Sequence, residues 1–381
     1  MKIAFLMNHF DTTDISKYPR HIGYYITTYL KKYGAEIEMI PPAIPKYIEL
    51  YYKIKQAYYH YLCKKRHLRY SEIGLIKKEA KIRSKILKKS NADFVFSFGP
   101  VASAFLDTDK KIAFWADATS KGIENYYPEF SNLTASSVKN MDKIEAIGFK
   151  RASAAFYSSS WAKQTAIDFY GADKEKIFVV PLGANFDIEN SEDYILKIIK
   201  NRLTSDEIKF LFIGYAWERK GGHIAVEIVK KINQNGQKAK LIVIGCNPKI
   251  DKDAENYVES LGKLDKKNDA KLFYSHLEQS HFYLMPTRAE SFGHSFCEAN
   301  AFGVPAISYR TGGVTDVIKD GINGQLFDLD AKTEDFSNYL INTFKNKEKY
   351  LQLCLDSFKE YKTRLNWDYG AQTIIKTLNN F

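Results

Sequence analysis

Short apolar runs alternate with longer amphipathic stretches through the first half of the chain. We predict six strands there, at residues 2–8, 35–40, 92–98, 111–117, 154–159 and 176–181. The helices between them are clearest at residues 22–33, 46–90 and 160–170. Short apolar strands that alternate with amphipathic helices are typical of a parallel sheet covered on both faces, so this half predicts one doubly wound domain.

The same alternation restarts in the second half. Its strands are predicted at residues 208–214, 239–245, 281–287 and 304–310, and its helices at 222–233 and 294–301, with a short connecting segment around 271–279. At 381 residues the chain exceeds what one hydrophobic core usually supports. We therefore predict an α/β fold of two doubly wound, Rossmann-like domains that face a cleft. The predicted boundaries are 1–185 for the N-terminal domain, 186–207 for a linker and 208–360 for the C-terminal domain.

The positive charge of the chain is concentrated in one segment. The net charge is +11, and residues 46–90 contain fourteen Lys or Arg against three Glu, a difference that equals the whole excess. Tyrosines are interleaved with these cations, among them Tyr51, Tyr52, Tyr58, Tyr59 and Tyr61. Basic and aromatic residues together suit an anionic membrane surface. A solvated lysine-rich helix face and, less favoured, a nucleic-acid contact remain the alternatives.

The cysteines and the apolar segments indicate the compartment. Four cysteines lie far apart without a C-x-x-C pair, which favours reduced packing residues over a disulfide framework or a zinc site. The first apolar run is too short for a signal-peptide core, and no uncharged stretch is long enough to span a bilayer. We therefore expect a cytoplasmic protein, with peripheral contact to the inner face of the membrane as an option.

Candidate chemistry follows the strands of the second half. The segments GYAWERKGG (214–222), GCNP (245–248), TRAESFGHS (287–295) and TGGVTD (311–316) each come directly after a predicted strand. Because ligands of open parallel sheets bind at the carboxyl ends of the strands, we expect these segments to converge on one crevice.

The residue types in these segments suit an anion and a sugar. Arg219 and Lys220 precede a predicted helix start, where cations and backbone N–H groups favour an anion such as pyrophosphate. A second helix is predicted from Gly293 to Gly303, and Glu298 within it could accept hydrogen bonds from sugar hydroxyls. A solvent-facing Arg-Lys turn, and a carboxylate that merely interacts with the helix dipole, are the alternatives.

Glu290 and Glu298 resemble a pair of catalytic carboxylates, but their spacing argues for separate roles. Glycosidase carboxyl groups lie about 5–9.5 Å apart, whereas eight helical residues advance roughly 12 Å.

The acidic pairs at 251 and 253 and at 328 and 330 could imitate a metal-binding motif. Their loop surroundings favour solvated turns, so we predict no metal site.

Several motifs occur in one order between residues 209 and 327. They are Arg-Lys-Gly at 219–221, the two glutamates with seven residues between them, Phe-Gly-Val-Pro-Ala-Ile at 302–307, Thr-Gly-Gly at 311–313, and the Asp-Gly and Asn-Gly pairs at 320–321 and 323–324. Together they resemble the retaining nucleotide-sugar glycosyltransferases of the GT-B fold, the family-four-like group of bacterial cell-surface glycan enzymes. WADAT (115–119), YYPEFSNL (126–133) and SSSWAKQTAIDFYG (158–171) resemble one bacterial branch of that group more weakly.

The resemblance implies roles for individual residues. Lys220, helped by Arg219, would hold the donor diphosphate, and Glu298 would bond the ribose hydroxyls. Glu290 would face the transferred sugar, and Asp117, where many members have a histidine, would contact it too. The implied donor-binding set is Gly214, Phe292, Gly293, His294, Ser295, Glu298, Gly312 and Gly313. The segment 361–381 resembles the terminal helix of the group, which returns to the N-terminal domain.

The resemblance implies a retaining hexosyltransferase that moves a sugar from a nucleotide diphosphate sugar to a glycan or lipid-linked acceptor, with no metal or other cofactor. A nucleotide-sugar-binding pseudoenzyme or regulatory subunit is a rival, because Tyr215 stands where the group usually has an arginine. A nucleic-acid glycosyltransferase is another rival. A dinucleotide oxidoreductase is disfavoured, because no G-x-G-x-x-G follows any predicted strand.

Overall fold

The computed structural model describes residues 1–7, 22–44, 46–186, 191–266 and 268–381. The chain divides into two compact units. Unit 1 contains residues 1–182 and 367–381, and unit 2 contains residues 183–366. Of the predicted linker 186–207, residues 187–190 lie outside the described residues, and residues 192–203 form a helix that belongs to unit 2.

Unit 1 is built on a six-stranded parallel sheet in the order β2-β1-β3-β4-β5-β6. Its strands are β1 (Lys2–Leu6), β2 (Glu36–Ile40), β3 (Phe94–Phe98), β4 (Lys111–Ala116), β5 (Ala154–Tyr157) and β6 (Ile177–Val179). The central strands are buried on both faces, which explains why they read as nearly continuous apolar runs in the sequence.

Six helices of unit 1 connect these strands. They are α1 (Ile22–Lys32), α2 (Lys46–Tyr61), α3 (Ile73–Leu87), α4 (Ser120–Ile123), α5 (Ala135–Arg151) and α6 (Ser160–Tyr170). The basic segment 46–90 is therefore two helices and not one, which corrects the continuous helix that we predicted. The chain turns between α2 and α3 at Lys64, whose φ of 53° lies in the left-handed region that a continuing α-helix excludes.

Unit 2 has a second six-stranded parallel sheet, in the order β12-β11-β10-β7-β8-β9. Its strands are β7 (Ile208–Ile213), β8 (Ala239–Ile244), β9 (Val258–Ser260), β10 (Phe282–Leu284), β11 (Ala306–Tyr309) and β12 (Gly324–Phe327). Its helices are α7 (Glu192–Leu203), α8 (Gly222–Gln234), α9 (Ala270–Gln279), α10 (His294–Asn300), α11 (Val314–Val317), α12 (Thr333–Lys345) and α13 (Lys347–Thr363). The predicted class, two doubly wound parallel sheets, is confirmed.

The last helix, α14 (Trp367–Leu378), packs in unit 1. The Trp367 ring stacks on Tyr25 at 5.4 Å between centroids and meets Trp115 edge-on at 5.5 Å. Asp368 pairs with Lys32 at 2.6 Å. Aromatic burial and one surface ion pair thus attach the C-terminal segment to α1 and β4.

In the part of the chain that the structure describes, no helix combines the length and apolarity needed to cross a bilayer.

Candidate active site

The loops after β7 and β10 meet at one edge of the unit 2 sheet. The Arg219 carbonyl oxygen accepts hydrogen bonds from the Thr287 hydroxyl at 3.1 Å and the Arg288 backbone N–H at 3.4 Å. Gly221 has a φ of 76° and lies so close to the Pro286 carbonyl group that any Cβ there would overlap it. Only glycine satisfies both constraints, so the sequence Arg-Lys-Gly brings its two cations against the loop after β10.

The other two strand-end segments join the same edge. The Gly313 N–H donates to the Glu290 carbonyl oxygen at 3.1 Å, and the Thr311 hydroxyl donates to the Arg288 carbonyl oxygen at 3.2 Å. Gly245, after β8, approaches Gly214 so closely that a Cβ on it would lie 2.8 Å from the Gly214 carbonyl oxygen. All four segments therefore lie at the carboxyl ends of the unit 2 strands, as parallel strands require.

Arg219, Lys220 and Glu290 form what we call the ion cluster. The Glu290 Oε2 atom lies 3.0 Å from Lys220 Nζ and 3.3 Å from Arg219 Nη1. Arg219 also donates to the Ala289 carbonyl oxygen at 2.6 Å, and Lys220 Nζ lies 3.4 Å from Met285 Sδ. Burial by itself would raise the pKa of Glu290, but Lys220 and Arg219 outweigh it and lower the pKa below its usual value. Glu290 is thus an anion held between two cations.

The β10 strand and the start of α10 support the ion cluster. The buried Tyr283 hydroxyl donates to Ser295 Oγ at 2.8 Å, and burial raises the pKa of Tyr283, which keeps the hydroxyl a donor. Gly293, with a φ of 89°, packs against the Phe296 ring and the Glu290 side chain. His294 Nδ1 lies 2.8 Å from the Gly183 carbonyl oxygen.

We predicted a helix from Gly293 to Gly303; the regular helix is shorter and ends at Asn300.

Glu298 has different partners from Glu290. Its buried carboxylate forms an ion pair with Lys266, and the same oxygen accepts a hydrogen bond from the Asn185 backbone N–H at 3.3 Å. The two glutamates therefore hold separate cations, and they do not form a facing pair of carboxyl groups. This arrangement is compatible with the separate roles that the sequence suggested.

Asp117 lies in unit 1, immediately after β4 and before α4. Its carbonyl oxygen accepts a hydrogen bond from Ser158 Oγ at 3.4 Å, and its side chain is half-buried. The Thr119 hydroxyl caps α4 by accepting from the Gly122 N–H at 3.0 Å. Asp117 thus occupies a strand end in its own sheet, while Arg219, Lys220, Glu290 and Glu298 are grouped in unit 2.

A buried glutamate lies behind the Asp117 loop. Both carboxylate oxygens of Glu145 accept from the Ser120 backbone N–H, at 3.0 and 2.9 Å, where α4 begins. Tyr170 also bonds to Glu145, and its hydroxyl donates to Asp142 at 3.1 Å. Burial raises the pKa of Glu145 to about 7; the hydrogen bonds from Ser120 and Tyr170 oppose this effect, and the nearby Asp142 adds to it.

One member of each acidic pair that could imitate a metal motif forms an ion pair with a basic side chain. Asp253 pairs with Lys230, and Asp328 pairs with Arg310 at 3.1 Å. Within the described ranges, no group of three or more His, Cys, Asp or Glu side chains is arranged to hold a metal ion.

Residues 195–354 match the family model described as glycosyl transferases group 1. The chain is 26% identical over 209 residues to an uncharacterized 41.2 kDa protein in the cps region of Klebsiella pneumoniae, covering 54% of this chain and 57% of that protein. It is 25% identical over 226 residues to a probable sucrose-phosphate synthase of Thermosipho melanesiensis, covering 56% and 49%. The chain spans about half the length of the curated relatives it matches.

Residues 195–354 belong to the group 1 glycosyl transferases. The ion cluster and Glu298 all lie within this matched range. The resemblance that we inferred from residues 209–327 is thus confirmed at the level of the family.

Solved structures with the same fold cover nearly the whole chain. The sucrose-phosphate synthase from Thermosynechococcus elongatus has a TM-score of 0.66 at 13% identity, over 100% of this chain and 98% of that one. Anabaena HepE in complex with UDP and glucose has a TM-score of 0.63 at 15% identity, over 100% of both chains. WaaG, a glycosyltransferase involved in lipopolysaccharide biosynthesis, has a TM-score of 0.62 at 15% identity, over 97% and 98%. These likenesses show the two-domain GT-B fold.

Several residues that the structure places at or behind the site were not recognised from the sequence. Tyr283 and Met285 lie in and just after a strand and read as core residues, while Lys266 lies in a polar loop. Of these residues, only Glu145 has a sequence signal that could have marked it as unusual. It lies between the buried Ile144 and Gly148 on the packed face of α5, where an acidic residue is unusual.

Replacing Glu290 by Gln should destabilise unit 2 by about 3 kcal/mol, because Lys220 and Arg219 lose their counter-charge while remaining partly buried. Added inorganic pyrophosphate should then raise the Tm of this variant more than that of the wild type, because the anion replaces the missing carboxylate. Differential scanning fluorimetry with and without pyrophosphate measures both effects.

Glu360→Gln is the matched control for this experiment. Glu360 lies 3.0 Å from Lys319 Nζ and also pairs with Arg364, so its loss breaks the same kind of ion cluster elsewhere in unit 2. It should lower the Tm without increasing the response to pyrophosphate. An equal pyrophosphate response in both variants would contradict the assignment of an anion to the ion cluster.

The raised pKa of Glu145 should make stability depend on pH. The folded chain holds this proton more tightly than the unfolded chain, whose pKa is near 4.5. The contribution to stability is therefore fully present below that value and is lost as the pH rises through about 7.

Relative to Glu145→Gln, the wild type should lose on the order of 3 kcal/mol of unfolding free energy between about pH 4.5 and about pH 7. Thermal unfolding of both proteins across this range checks the difference, with the exposed Glu175→Gln as control. A difference that stays constant with pH would refute the assignment.

Proposed function

We propose that this protein is a retaining glycosyltransferase that moves a hexosyl group from a nucleotide diphosphate sugar to a hydroxyl of a glycan or lipid-linked acceptor. The observation that carries the proposal is the ion cluster, which sets two cations at the strand ends of a domain that belongs to the group 1 family. Anabaena HepE, which shares the fold, has been seen with UDP, with UDP and glucose, and with UDP-glucose.

Lys220 and Arg219 are proposed to act on the leaving group. As the glycosidic C–O bond breaks, its electron pair passes to the β-phosphate oxygen, and negative charge grows there. Fixed cations at that position stabilise the transition state more than the bound donor, which is the condition for rate acceleration. Lys220 lies against Gly214, where any side chain would overlap it, so the lysine has a fixed path from the turn before α8 to the strand end.

The two glutamates are proposed to bind the sugar parts of the donor. Glu298 would accept hydrogen bonds from the ribose, for which Lys266 must share or release the carboxylate. Glu290 and the backbone of Phe292, Gly293 and His294 would face the transferred hexose, with Ser295, Gly312 and Gly313 completing the donor site. Asp117 is proposed as a further contact of the hexose from the unit 1 side, on the resemblance alone.

Retention would follow from attack on the same face of the sugar that the phosphate leaves. The acceptor oxygen forms the new bond to the anomeric carbon, and its proton passes to the departing phosphate oxygen.

We propose that no metal takes part, because Lys220 and Arg219 supply the positive charge that the diphosphate needs. Turnover should then survive an excess of EDTA.

The acceptor is proposed to be reached at the cytoplasmic face of the membrane, in the synthesis of a polysaccharide or lipid-linked glycan. The relative in the cps region of Klebsiella pneumoniae and the fold relative WaaG, involved in lipopolysaccharide biosynthesis, support this direction. The basic, tyrosine-rich segment near α2 supports peripheral contact with anionic lipid.

A nucleotide-sugar-binding pseudoenzyme or regulatory subunit is the second candidate. Tyr215, which stands where the family usually has an arginine, is largely exposed, with Lys263 Nζ 5.9 Å from its ring centre. This candidate predicts that a nucleotide sugar binds but that no sugar is transferred to any acceptor.

The proposed function predicts turnover that depends on Lys220. A thermal-shift panel of nucleotide sugars would first identify the donor, because a ligand at a hundred times its Kd adds about 2.7 kcal/mol. Lys220→Ala should then lower kcat by about 10²–10³-fold with that donor, measured as release of the nucleoside diphosphate.

Lys230→Ala is the control for this experiment, since Lys230 lies nearby in sequence, on α8, and also pairs with a carboxylate, that of Asp253. It should keep wild-type turnover. Turnover of Lys220→Ala within a few-fold of wild type would reject the assigned site. Donor binding by the wild type without turnover would favour the pseudoenzyme.

A further inference from the structure

One face of α2 is covered with exposed large apolar side chains. Their exposed fractions run from 54% to 74%. At about 100° per residue, the helical members fall within an arc of about 100°. We call this set the exposed stripe; it consists of Tyr47, Leu50, Tyr51, Ile54, Tyr58, Tyr61 and the following Leu62. Elsewhere in the described residues, exposed large apolar side chains are scattered, which makes this patch distinct.

The opposite face of α2 is already packed on unit 1. Ile48 is buried, the Tyr59 ring stacks on His67 at 4.7 Å, and Lys55 pairs with Glu72 at 2.6 Å. His67 is itself buried, with Nε2 2.7 Å from Glu72 and Nδ1 3.0 Å from Thr134. The helix is therefore held firmly by one face, and the exposed stripe is the face that it presents outward.

A basic groove runs beside the exposed stripe. It encloses about 470 Å³ and is lined by Lys53, His60, Tyr61, Arg66 and Glu129, among others. On the helix, Lys53 and His60 lie next to the stripe on the side away from Lys55. Lys64 and Lys65 follow directly in the exposed turn after the stripe. Cations thus border an apolar face, which is the pattern of a helix that lies in a membrane interface.

The neighbouring helix α3 carries more lysines, four against three, but no such stripe. Its apolar side chains Leu75, Ile76, Ala80 and Leu87 are buried, and Ala80 and Leu87 are part of the unit 1 core. Its lysines therefore form the solvated face of an ordinary amphipathic helix. Of the interpretations that the sequence left open for the basic segment, the solvated lysine-rich face therefore fits α3.

We propose that α2 docks in the plane of an anionic lipid bilayer. The exposed stripe enters the boundary between headgroups and acyl chains, and the basic groove takes the phosphate of one lipid headgroup. A polar partner protein would leave the stripe unpaired, whereas a bilayer matches both its apolar face and its cationic border. The proposal specifies the membrane contact of the proposed function, but it concerns lipid binding and not sugar transfer.

The test is flotation of the full chain with vesicles of phosphatidylcholine, with and without phosphatidylglycerol. Wild type should float with the anionic vesicles and be released by high salt. A stripe variant, Tyr51→Ser with Ile54→Ser and Tyr58→Ser, should lose flotation. A charge variant, Lys64→Gln with Lys65→Gln and Arg66→Gln, should bind anionic vesicles roughly 100-fold more weakly. Circular dichroism and Tm establish that both variants remain folded.

The matched control removes the same charge from α3, by Lys78→Gln with Lys81→Gln and Lys85→Gln. It should float like wild type, because the docking surface lies on α2. Equal losses in both charge variants would show unspecific attraction of a basic protein and would overturn the proposal. Absence of wild-type flotation would overturn it as well.

Size-exclusion chromatography with light scattering tests whether a second copy of the chain, and not a bilayer, covers the exposed stripe. If the wild type is a dimer that the stripe variant converts to a monomer, the exposed stripe is an interface between two copies and the proposal is wrong. Nucleotide-sugar turnover measured without lipid separates this failure from failure of the proposed function, because the ion cluster lies in unit 2 and α2 in unit 1.

Discussion

The charge balance of the ion cluster is the constraint on which the unit 2 site depends. A carboxylate as buried as Glu290 is stable only when charged partners replace the water that it has lost. Lys220 and Arg219 supply this compensation from a different loop, seventy and seventy-one residues earlier in the chain. The backbone must bring that loop into contact with the one after β10, and Gly221 permits this approach where no other residue would.

Under the proposed function, the same ion pairs would prepare the site for an anionic ligand. In the free protein the carboxylates of Glu290 and Glu298 hold the cations Arg219, Lys220 and Lys266 in place. Under the proposed function, these side chains would need little reorganisation to bind a phosphate group, since their positions are already fixed by charge. Preorganised charge of this kind is the largest single contribution to catalysis in many enzymes. A parallel sheet suits this task, because it gathers loops that are distant in sequence at one edge.

The architecture was predictable from sequence to a large extent, because buried parallel strands leave a clear apolar signal. The signal failed where strands are short or polar, as in β9 with Val-Glu-Ser and β12 after Gly324. It also failed at α7, which is amphipathic but lies in the stretch that we read as a linker. The break between α2 and α3 was missed for another reason, since their residues form helices on both sides of a turn.

The contacts within the sites were less predictable than the residue types. Sequence motifs indicated Arg219, Lys220, Glu290 and Glu298, but not that Lys266 would pair with Glu298 or that Met285 would touch Lys220. Such contacts depend on loop paths that the folded chain determines. The division of the α2 tyrosines into exposed and half-buried ones is similar. It could be drawn only once the packed face of the helix was known.

The central claim is that Lys220 and Arg219 bind the diphosphate of a nucleotide sugar. Isothermal titration of one nucleoside diphosphate and its monophosphate, against wild type and Lys220→Met, tests it most directly. Wild type should prefer the diphosphate by at least about tenfold, corresponding to about 1.4 kcal/mol, and Lys220→Met should lose that preference. A preference that is unchanged in Lys220→Met would contradict the account.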